Sequence, residues 1–226
     1  MATISLCMIV KNESAVLARC LDSIADLMDE IIIVDTGSTD NTKEIAAQYT
    51  SRIYDFKWAS DFSAARNFSF SKATMEYIYT ADADEILDDA NRERFLRLKD
   101  ALLPEIEIVQ MKYVTQGTFD TVLNAKKEYR PKLFRRLRTF TWIDPIHETV
   151  RLTPVTFDSD VEILHCPQSL HSKRDFSIFI KAFEHDGQFS PKIRTMYAKE
   201  LLKTGDKKDF TDAKPIFQLI FDNDPA

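Results

Sequence analysis

The acidic side chains of Asp82-Ala83-Asp84-Glu85 are the residues whose types and spacing point most directly to chemistry. They follow the apolar stretch 77–80, which predicts a buried strand. Two carboxylates one residue apart at a strand end can hold one divalent cation, and oxygen ligands favour Mg²⁺ or Mn²⁺. Such a cation could bridge two phosphates and neutralise the charge that develops as they leave. A solvated acidic turn is the simpler interpretation of an isolated Asp-x-Asp pair, but the buried strand before it favours a binding site.

A second polar segment, residues 35–42, follows the apolar run 31–34. Asp35 closes that predicted strand, where its carboxylate can accept a hydrogen bond from a nucleobase N–H or a ribose hydroxyl. Gly37 permits a tight turn after it. Asp40 is well placed as the N-cap of the next helix, which is a structural role rather than a binding role.

Two further polar residues have both a binding and a structural interpretation. Glu13, which follows the apolar run 4–10, could accept a hydrogen bond from a ribose, or could simply be a favourable negative charge in the first turn of a helix. Arg66 could reach a diphosphate or a base, or could pair with a carboxylate at the same edge.

The elements that must position these residues alternate between strand and helix. Apolar residues between Val16 and Met28 recur with a period of 3.6, which indicates a helix with one buried stripe. Strands are predicted over residues 4–10, 31–34, 52–56 and 77–80, and helices over residues 16–28, 41–49 and 62–73. This alternation predicts a parallel sheet with helices on both faces. Ligands bind beyond the carboxyl ends of such strands, where all the polar segments above fall.

The pattern changes after Glu85. The sequence predicts a helix over 91–103, an antiparallel strand over 109–114, strands over 132–142 and 161–165, and helices over 176–185, 193–203 and 213–221. We therefore expect a domain over residues 1–175 and a helical extension over residues 176–226. Because a single helix pair cannot bury its own apolar face, we expect the extension to be the start of a truncated helical repeat region.

Composition narrows the class of protein. The 226 residues carry a net charge of −6, and an acidic chain is poorly suited to nucleic acid. Three cysteines with no Cys-x-x-Cys pair argue against a disulfide framework or a zinc site, and Cys7 and Cys20 fit core positions. No segment reaches the roughly 18 apolar residues of an integral membrane span. We expect a cytoplasmic protein, with a peripheral position at the inner membrane face as a further option.

Five motifs occur together in the order and at about the spacings of family-2 glycosyltransferases, which they resemble over roughly residues 3–175. The resemblance is closer to a bacterial branch that includes lipopolysaccharide-core β-glucosyltransferases and peptide S-glycosyltransferases. The motifs are Lys11-Asn12-Glu13, Cys20-Leu21-Asp22-Ser23-Ile24, Val34-Asp35-Thr36-Gly37-Ser38-Thr39-Asp40, Ala65-Arg66-Asn67 and Asp82-Ala83-Asp84-Glu85.

The resemblance implies the A-type glycosyltransferase fold, an α/β fold with a mostly parallel central sheet flanked by helices. It also implies an inverting, metal-dependent transferase with a nucleotide-diphosphate sugar donor, usually a UDP-sugar, here with glucose or a related hexose. By position, Asp35 would bind the nucleobase and Glu13 the ribose, while Asp82 and Asp84 would bind the metal and the ribose-diphosphate. The other predicted donor contacts are Val10, Asn12, Gly37, Arg66 and Ala83.

The segment Trp142-Ile143-Asp144-Pro145-Ile146-His147-Glu148 resembles the part of this branch that ends in His-Glu near the acceptor. Inversion needs a base to take the acceptor proton. Glu148 is the first candidate and Asp144 the second, while a salt bridge on a strand face is the structural alternative for Glu148. Trp142 could stack on a sugar, or it could be a core residue, and we place His147 on the acceptor side.

His165, at the end of a predicted strand, is a candidate third metal ligand beside Asp82 and Asp84, because many A-type enzymes bring a late histidine to the metal. A structural role is the alternative for a lone histidine. The acceptor stays open among a glycan, a lipid-linked glycan and a peptide, and the sequence predicts no oligomeric state.

Two other functions compete with the transferase. A sugar nucleotidyltransferase is disfavoured because that class begins with a glycine-rich phosphate loop, whereas the first loop here is Lys11-Asn12-Glu13-Ser14. A non-catalytic binding or scaffold protein on the same fold is disfavoured because it would have no need of Asp82, Asp84 and Glu148.

Overall fold

The computed structural model describes residues 1–115, 127–136, 142–143, 145–146, 149–150, 155–166 and 172–223. The chain divides into two compact units. The first consists of Met1–Trp58, Ala65–Thr141 and Arg151–Gln168, and the second of Ala59–Ala64, Trp142–Val150 and Ser169–Ala226. The predicted boundary between residues 175 and 176 stays a prediction.

The described strands form one large sheet in the first unit and a short ribbon in the second. The sheet contains β1 (Ile4–Val10), β2 (Glu30–Asp35), β3 (Ile53–Asp55), β4 (Tyr77–Thr80), β5 (Glu85–Ile86), β6 (Ile108–Thr115), β7 (Lys127–Arg135) and β10 (Thr156–His165), in the order β3-β2-β1-β4-β7-β6-β10-β5. The ribbon pairs β8 (Trp142–Ile143) with β9 (Thr149–Val150).

The described helices are α1 (Leu17–Ile24), α2 (Thr42–Ala46), α3 (Phe62–Phe70), α4 (Asp89–Ala101), α5 (Ser172–Asp186), α6 (Pro191–Thr204) and α7 (Lys207–Asn223). A 3₁₀ turn over Ala25–Leu27 continues α1. In the part of the chain that the structure describes, no helix combines the length and the apolar character that crossing a membrane requires.

The sheet is parallel where strands and helices alternate and mixed beyond that point, as predicted. β1 pairs in parallel with β2 and β4, and β2 pairs in parallel with β3. β7 is antiparallel to both β4 and β6, while β6 is parallel to β10 and β5 is antiparallel to β10. β6 is therefore antiparallel on one side only, whereas the sequence predicted an antiparallel strand.

The core of the first unit lies where the helices cover the central strands. β1 is almost entirely buried, as its continuous apolar run predicts for a strand covered on both faces. α1 turns Leu17, Cys20, Leu21 and Ile24 inward, which is the stripe that its period indicates. Cys7 and Cys20 are buried and unpaired, as predicted, and burial raises the pKa of Cys7 to about 12.

In the second unit, an aromatic cluster packs the helices together. The rings of Phe179 on α5 and Tyr197 on α6 stack at 4.6 Å, and Phe217 on α7 lies 5.3 Å from Tyr197. Ser190 caps α6 by accepting a hydrogen bond from the Ile193 amide, and Pro191 occupies the first turn. The α6–α7 pair is thus held from one side by α5.

Candidate functional site

The strand order changes direction next to β1. Since β2 lies on one side of β1 and β4 on the other, the carboxyl ends of β1 and β4 lie at a switch point in strand order, the place where open α/β sheets bind ligands. The loops after β1, β2 and β4 contain the polar segments found in the sequence, so the fold brings them to one edge.

Asp35, at the end of β2, is held by its own turn. Its side chain is buried, with 1% exposed. Oδ1 accepts hydrogen bonds from the backbone amides of Gly37 and Ser38, each at 2.9 Å. Gly37 takes a φ of 103°, a conformation that favours glycine. Oδ2 is buried and has no hydrogen-bond partner among the described residues, so this oxygen retains the capacity to accept a further hydrogen bond.

The loops after β1 and β2 are tied together by hydrogen bonds around Asn12. This residue has a φ of 55°, which asparagine tolerates better than most residues. Its amide donates to Ser38 Oγ at 2.9 Å, and its Oδ1 accepts from the Thr39 amide at 2.7 Å. The Glu13 amide donates to Thr42 Oγ1 at 2.8 Å. The two loops therefore present Glu13 and Asp35 as one unit, an arrangement that the sequence did not predict.

Asp40 strengthens this link. Its carboxylate accepts from the Ser14 amide and from the amide and hydroxyl of Thr42. Desolvation raises the pKa of Asp40, but these hydrogen bonds lower it by more, to about 2. The prediction that Asp40 is the N-cap was wrong by one residue, since Asn41 occupies that position. Asp40 still accepts from the Thr42 amide at the start of α2, and it also bonds across to the loop after β1.

The segment Asp82-Ala83-Asp84 after β4, called the acidic loop below, lies next to the end of β10. Asp84 Oδ2 lies 3.0 Å from Nε2 of His165. The register of β5 and β10 places Glu85 opposite His165, and the Cys166 amide donates to the Asp84 carbonyl at 3.0 Å. Asp82 is exposed and Ala83 is buried. The structure thus brings Asp84 together with His165, which lies 81 residues further along the chain.

The ring of His165 is supported by an aromatic neighbour. Tyr113 on β6 lies with its ring centroid 4.9 Å from that of His165, tilted by 33°. The Arg130 guanidinium on β7 lies 3.7 Å from the Tyr113 centroid, a cation–π distance. Nδ1 of His165 is buried without a hydrogen-bond partner among the described residues. One ring nitrogen therefore faces the acidic loop, and the other can still take a partner.

Positive charges surround the acidic loop. Desolvation by neighbouring protein atoms raises the pKa of Asp82, although the residue is exposed, and the charges of Lys132, Arg66, Arg130 and His165 lower it by more. Behind the loop, the ammonium of Lys132 contacts Oε1 of Glu85, and both side chains are almost completely buried. Burial raises the pKa of Glu85 to about 6, against the opposing charge of Lys132.

Of the basic residues near Asp82, the sequence analysis identified Arg66 as a candidate site residue but not Lys132. Arg66 lies on α3 with 9% of its surface exposed, and its charge acts on Asp82, so it lies at the predicted edge. Sequence reasoning missed Lys132, Arg130 and Tyr113. None of the motifs found in the sequence contains these three residues, so no local signal identified them.

The family model described as "Glycosyl transferase family 2" matches residues 5–153, which is more than half of the chain and includes the loops after β1, β2 and β4 but not His165 at the end of β10. The chain belongs to glycosyltransferase family 2. Its sheet order and flanking helices are those of the A-type fold, so the fold that the resemblance implied is confirmed.

The chain is similar in sequence to curated proteins, among them the following two. It is similar to a TPR repeat-containing protein of Synechococcus elongatus, with 49% identity over 87 residues, covering 38% of the chain and 22% of that protein. It is similar to the SPbeta prophage-derived glycosyltransferase SunS of Bacillus subtilis, with 33% identity over 132 residues, covering 57% of the chain and 31% of SunS. The chain thus spans less than a third of the length of either relative.

The fold is similar to that of glucosyl-3-phosphoglycerate synthase from Mycobacterium tuberculosis, whose crystal structure is a complex with Mn²⁺, UDP-glucose and phosphoglyceric acid. The TM-score is 0.58 at 19% identity, and the match covers 84% of this chain and 82% of the synthase chain. At this identity the likeness shows the shared A-type fold.

The residues of the acidic loop fit a divalent cation in their chemistry. Asp82 and Asp84 offer carboxylate oxygens, and Nε2 of His165 lies 3.0 Å from Asp84 Oδ2. Nδ1 of His165 has no hydrogen-bond partner among the described residues, so the contact that usually orients a ligating histidine through its second nitrogen is absent among them. No group of three or more His, Cys, Asp or Glu side chains in ligating proximity occurs among the described residues. The metal role of these three residues stays a prediction.

The predicted acceptor side of this family-2 domain is described only in part. Trp142 on β8 is buried, with 7% exposed, and Ile146 is buried at 3%. This burial is what the core interpretation of Trp142 predicts. Asp144, His147 and Glu148 lie outside the described residues, so their assignment as base candidates and acceptor contacts stays a prediction.

Proposed function

We propose that this family-2 domain transfers glucose or a related hexose from a UDP-sugar to an acceptor nucleophile with inversion. The observation that carries the proposal is the arrangement of carboxylates at one sheet edge. The buried Asp35 has one oxygen available, and Asp84 lies in contact with His165. The similar synthase was crystallised with Mn²⁺ and UDP-glucose, which supports this donor and metal.

In the proposed donor complex, each loop has its own part of the nucleotide to bind. Asp35 accepts the imide N–H of uracil through Oδ2, and Glu13 accepts a ribose hydroxyl. Backbone at Val10, Asn12, Gly37 and Ala83 approaches the nucleotide closely, and Arg66 adds positive charge for the diphosphate. Because hydrogen bonds fix the loops after β1 and β2 to each other, the base and ribose sites are already organised before binding.

Asp82, Asp84 and His165 would hold Mg²⁺ or Mn²⁺ beside the diphosphate. When bound, this cation supplies positive charge that stabilises the leaving UDP. The positive charges around Asp82 contribute by lowering the pKa of this carboxylate despite desolvation, which favours its ionised form.

Transfer with inversion proceeds in one displacement. The acceptor nucleophile attacks C1 of the sugar on the face opposite the diphosphate, so the new bond to C1 forms as the bond from C1 to the phosphate oxygen breaks. The acceptor proton passes to the predicted base, Glu148 or, as the second candidate, Asp144. Trp142 and His147 are proposed contacts on the acceptor side. A glycan, a lipid-linked glycan and a peptide are all acceptors that this chemistry permits.

Thermal unfolding with UDP, Mn²⁺ and both together tests this proposal. We expect both together to raise Tm most, because a ligand at 100 times its Kd stabilises the folded state by about 2.7 kcal/mol. Absence of any shift with every nucleoside diphosphate and metal tried would refute the donor site. Release of UDP from UDP-sugars separates a transferase from a scaffold protein, and turnover of UTP with a sugar phosphate would instead indicate a nucleotidyltransferase.

We also propose that the helical extension, predicted over 176–226, is the start of a helical repeat region. Supporting observations are the exposed apolar residues on α6 and α7, among them Leu202 at 80% and Phe210 at 45%, and the similarity to a repeat-containing protein. The substitutions Leu202→Glu and Phe210→Glu, which place a charge on this apolar surface, should leave the Tm of this chain nearly unchanged and reduce its binding of a hydrophobic dye. A large fall in Tm would show that these side chains are buried here.

A cytoplasmic location, with a peripheral position at the inner membrane face, stays a prediction.

A further inference from the structure

A buried ion pair lies directly behind the acidic loop, and the proposed transfer chemistry does not use it. The Lys132 ammonium on β7 contacts Oε1 of Glu85 on β5, with only 7% and 2% of the side chains exposed. β7 lies in the middle of the sheet, whereas β5 forms one edge of it. The pair therefore connects two strands that share no backbone ladder.

A pair of this kind is a poor device for stability alone. Removing two charges from water costs about as much as their attraction returns, and apolar replacements of similar volume are often as stable. Glu85 also has a second buried oxygen with no partner among the described residues. A role in fixing the position of the neighbouring residues accounts for the pair better than a role in stability.

Glu85 is linked through its backbone to all three residues proposed as metal ligands. It follows Asp84 directly, and its amide donates to the Asp82 carbonyl at 3.1 Å. In the register of β5 with β10, it lies opposite His165. A displacement of Glu85 would therefore change the positions of all three proposed ligands.

Lys132 also reaches the histidine through an aromatic ring. Its ammonium lies 5.5 Å from the centroid of Tyr113, and Tyr113 packs on His165 at 4.9 Å. Lys132 thus contacts Glu85, which adjoins the proposed carboxylate ligands, and lies near Tyr113, which packs on the proposed histidine ligand.

We propose that Lys132 is a positioning residue for the divalent-cation site, holding Asp82 and Asp84 through Glu85 and His165 through Tyr113. This inference rests on the proposed function, since it requires that the three residues bind a cation with UDP. In this proposal Lys132 acts through these neighbours and not by contact with the cation or UDP, so its effect appears in how strongly the cation and UDP bind together.

The test is the ratio of the UDP Kd without metal to the UDP Kd with Mn²⁺, measured by calorimetry. Lys132→Met should lower this ratio at least tenfold and leave metal-free UDP binding within about threefold. Lys132→Arg, which keeps a positive charge, should restore part of the ratio. Direct titration of Mn²⁺ without nucleotide should show the same ranking.

The matched control is Lys99→Met. Lys99 is likewise buried, with 8% of its side chain exposed, and pairs with Asp29 at 2.7 Å. Asp29 accepts from the Ile4 amide at the start of β1, which is the edge away from the acidic loop. This variant likewise loses the ion pair of a buried lysine, although Asp29 is 37% exposed. We expect its ratio of UDP Kd values without and with Mn²⁺ to stay within about twofold of the wild-type value.

The outcomes separate the two proposals. A folded Lys132→Met that keeps the wild-type ratio overturns the inference, as does an equal loss in Lys99→Met, which would show general destabilisation. If the wild-type protein itself shows no Mn²⁺-dependent gain in UDP affinity, the proposed function fails and the inference fails with it. If Lys132→Met does not fold, Glu85→Gln and the double variant Lys132→Met/Glu85→Leu are measured instead, with the same predicted loss and the same refuting result.

Discussion

Replacement of Asp35 by asparagine tests the donor site at its most clearly defined group. The change keeps the shape of the side chain. The remaining carbonyl oxygen can still accept from the amides of Gly37 and Ser38, as Oδ1 does now. The second oxygen becomes an NH₂ group, which donates where the buried Oδ2 would accept. The imide N–H of uracil then faces a donor.

The magnitude follows from the burial of Asp35. With 1% of the residue exposed, water cannot replace the lost interaction. A hydrogen bond to a charged group contributes about 1.5–3 kcal/mol, which corresponds to about a 10- to 150-fold weaker UDP affinity. The loop bonds become neutral and weaker, so we expect the free energy of unfolding to fall by only about 1 kcal/mol.

The assay compares UDP with CDP in the presence of Mn²⁺. Cytosine presents an acceptor at N3 where uracil presents a donor, so Asp35→Asn should shift the ratio of the two affinities towards CDP. Asp55→Asn is the matched control, because Asp55 is the register partner of Asp35 on the adjacent strand β3. Its side chain is 78% exposed and pairs with Lys43, and we expect no change in either affinity.

Two results would refute this reasoning. Unchanged UDP affinity in a folded Asp35→Asn would show that Asp35 does not bind the base. Equal losses in Asp35→Asn and Asp55→Asn would show that the effect comes from negative charge at this edge and not from a directed hydrogen bond.

Asp84→Ala should remove the Mn²⁺-dependent part of UDP binding while lowering the free energy of unfolding by about 1 kcal/mol or less; a folded variant with unchanged metal dependence would contradict the assignment. Glu148→Gln should keep donor affinity and slow single-turnover transfer by about 10²- to 10⁴-fold, whereas Asp144→Asn should slow it less; the reverse ranking assigns the base to Asp144. Asp40→Asn should lower the free energy of unfolding at pH 6. Because the pKa of Asp40 falls from 3.8 to about 2 on folding, its carboxylate stabilises the fold above pH 3.8 and stops doing so as the pH falls through 2. Denaturant unfolding of wild type and variant should therefore converge towards pH 2, and a constant difference from pH 6 to pH 2 would contradict the hydrogen-bonded role.

The parts of the fold that local patterns determine were predicted well. The predicted bounds of β1 and β4 agree with the structure residue for residue. A strand that is buried on both faces is a continuous apolar run, so its two ends are clear in the sequence. The helix predicted over 41–49 is shorter, with α2 covering Thr42–Ala46. β7 begins at Lys127, five residues before the predicted start at 132, because its first residues are exposed and polar and so lack the signal of a buried strand.

The candidate site shows the same division between local and long-range information. Asp35, Asp82 and Asp84 could be found because each follows a recognisable strand. The contact of His165 with Asp84 was expected only from the resemblance to the family. The pairing of Lys132 with Glu85 joins residues 47 positions apart, and no local pattern in either segment identifies the other. The curvature that brings β7 and β5 together is a property of the whole sheet.

The placement of β5 has a consequence for the order in which the protein folds. β4 and β5 are separated by only a few residues in the chain, yet β5 pairs with β10, whose His165 is 80 residues beyond Glu85. Closing so long a loop is entropically costly, and contacts of this separation form late. We therefore expect the parallel strands to assemble first and the acidic loop to become ordered only after β10 has docked. In pulse-labelling hydrogen exchange during refolding, the Cys166 amide, which donates to Asp84, should gain protection after the amides of β1. The residues proposed for metal binding would then be among the last of the first unit to reach their native positions, so a newly made chain would have its parallel strands β1 to β4 paired before it could retain a cation.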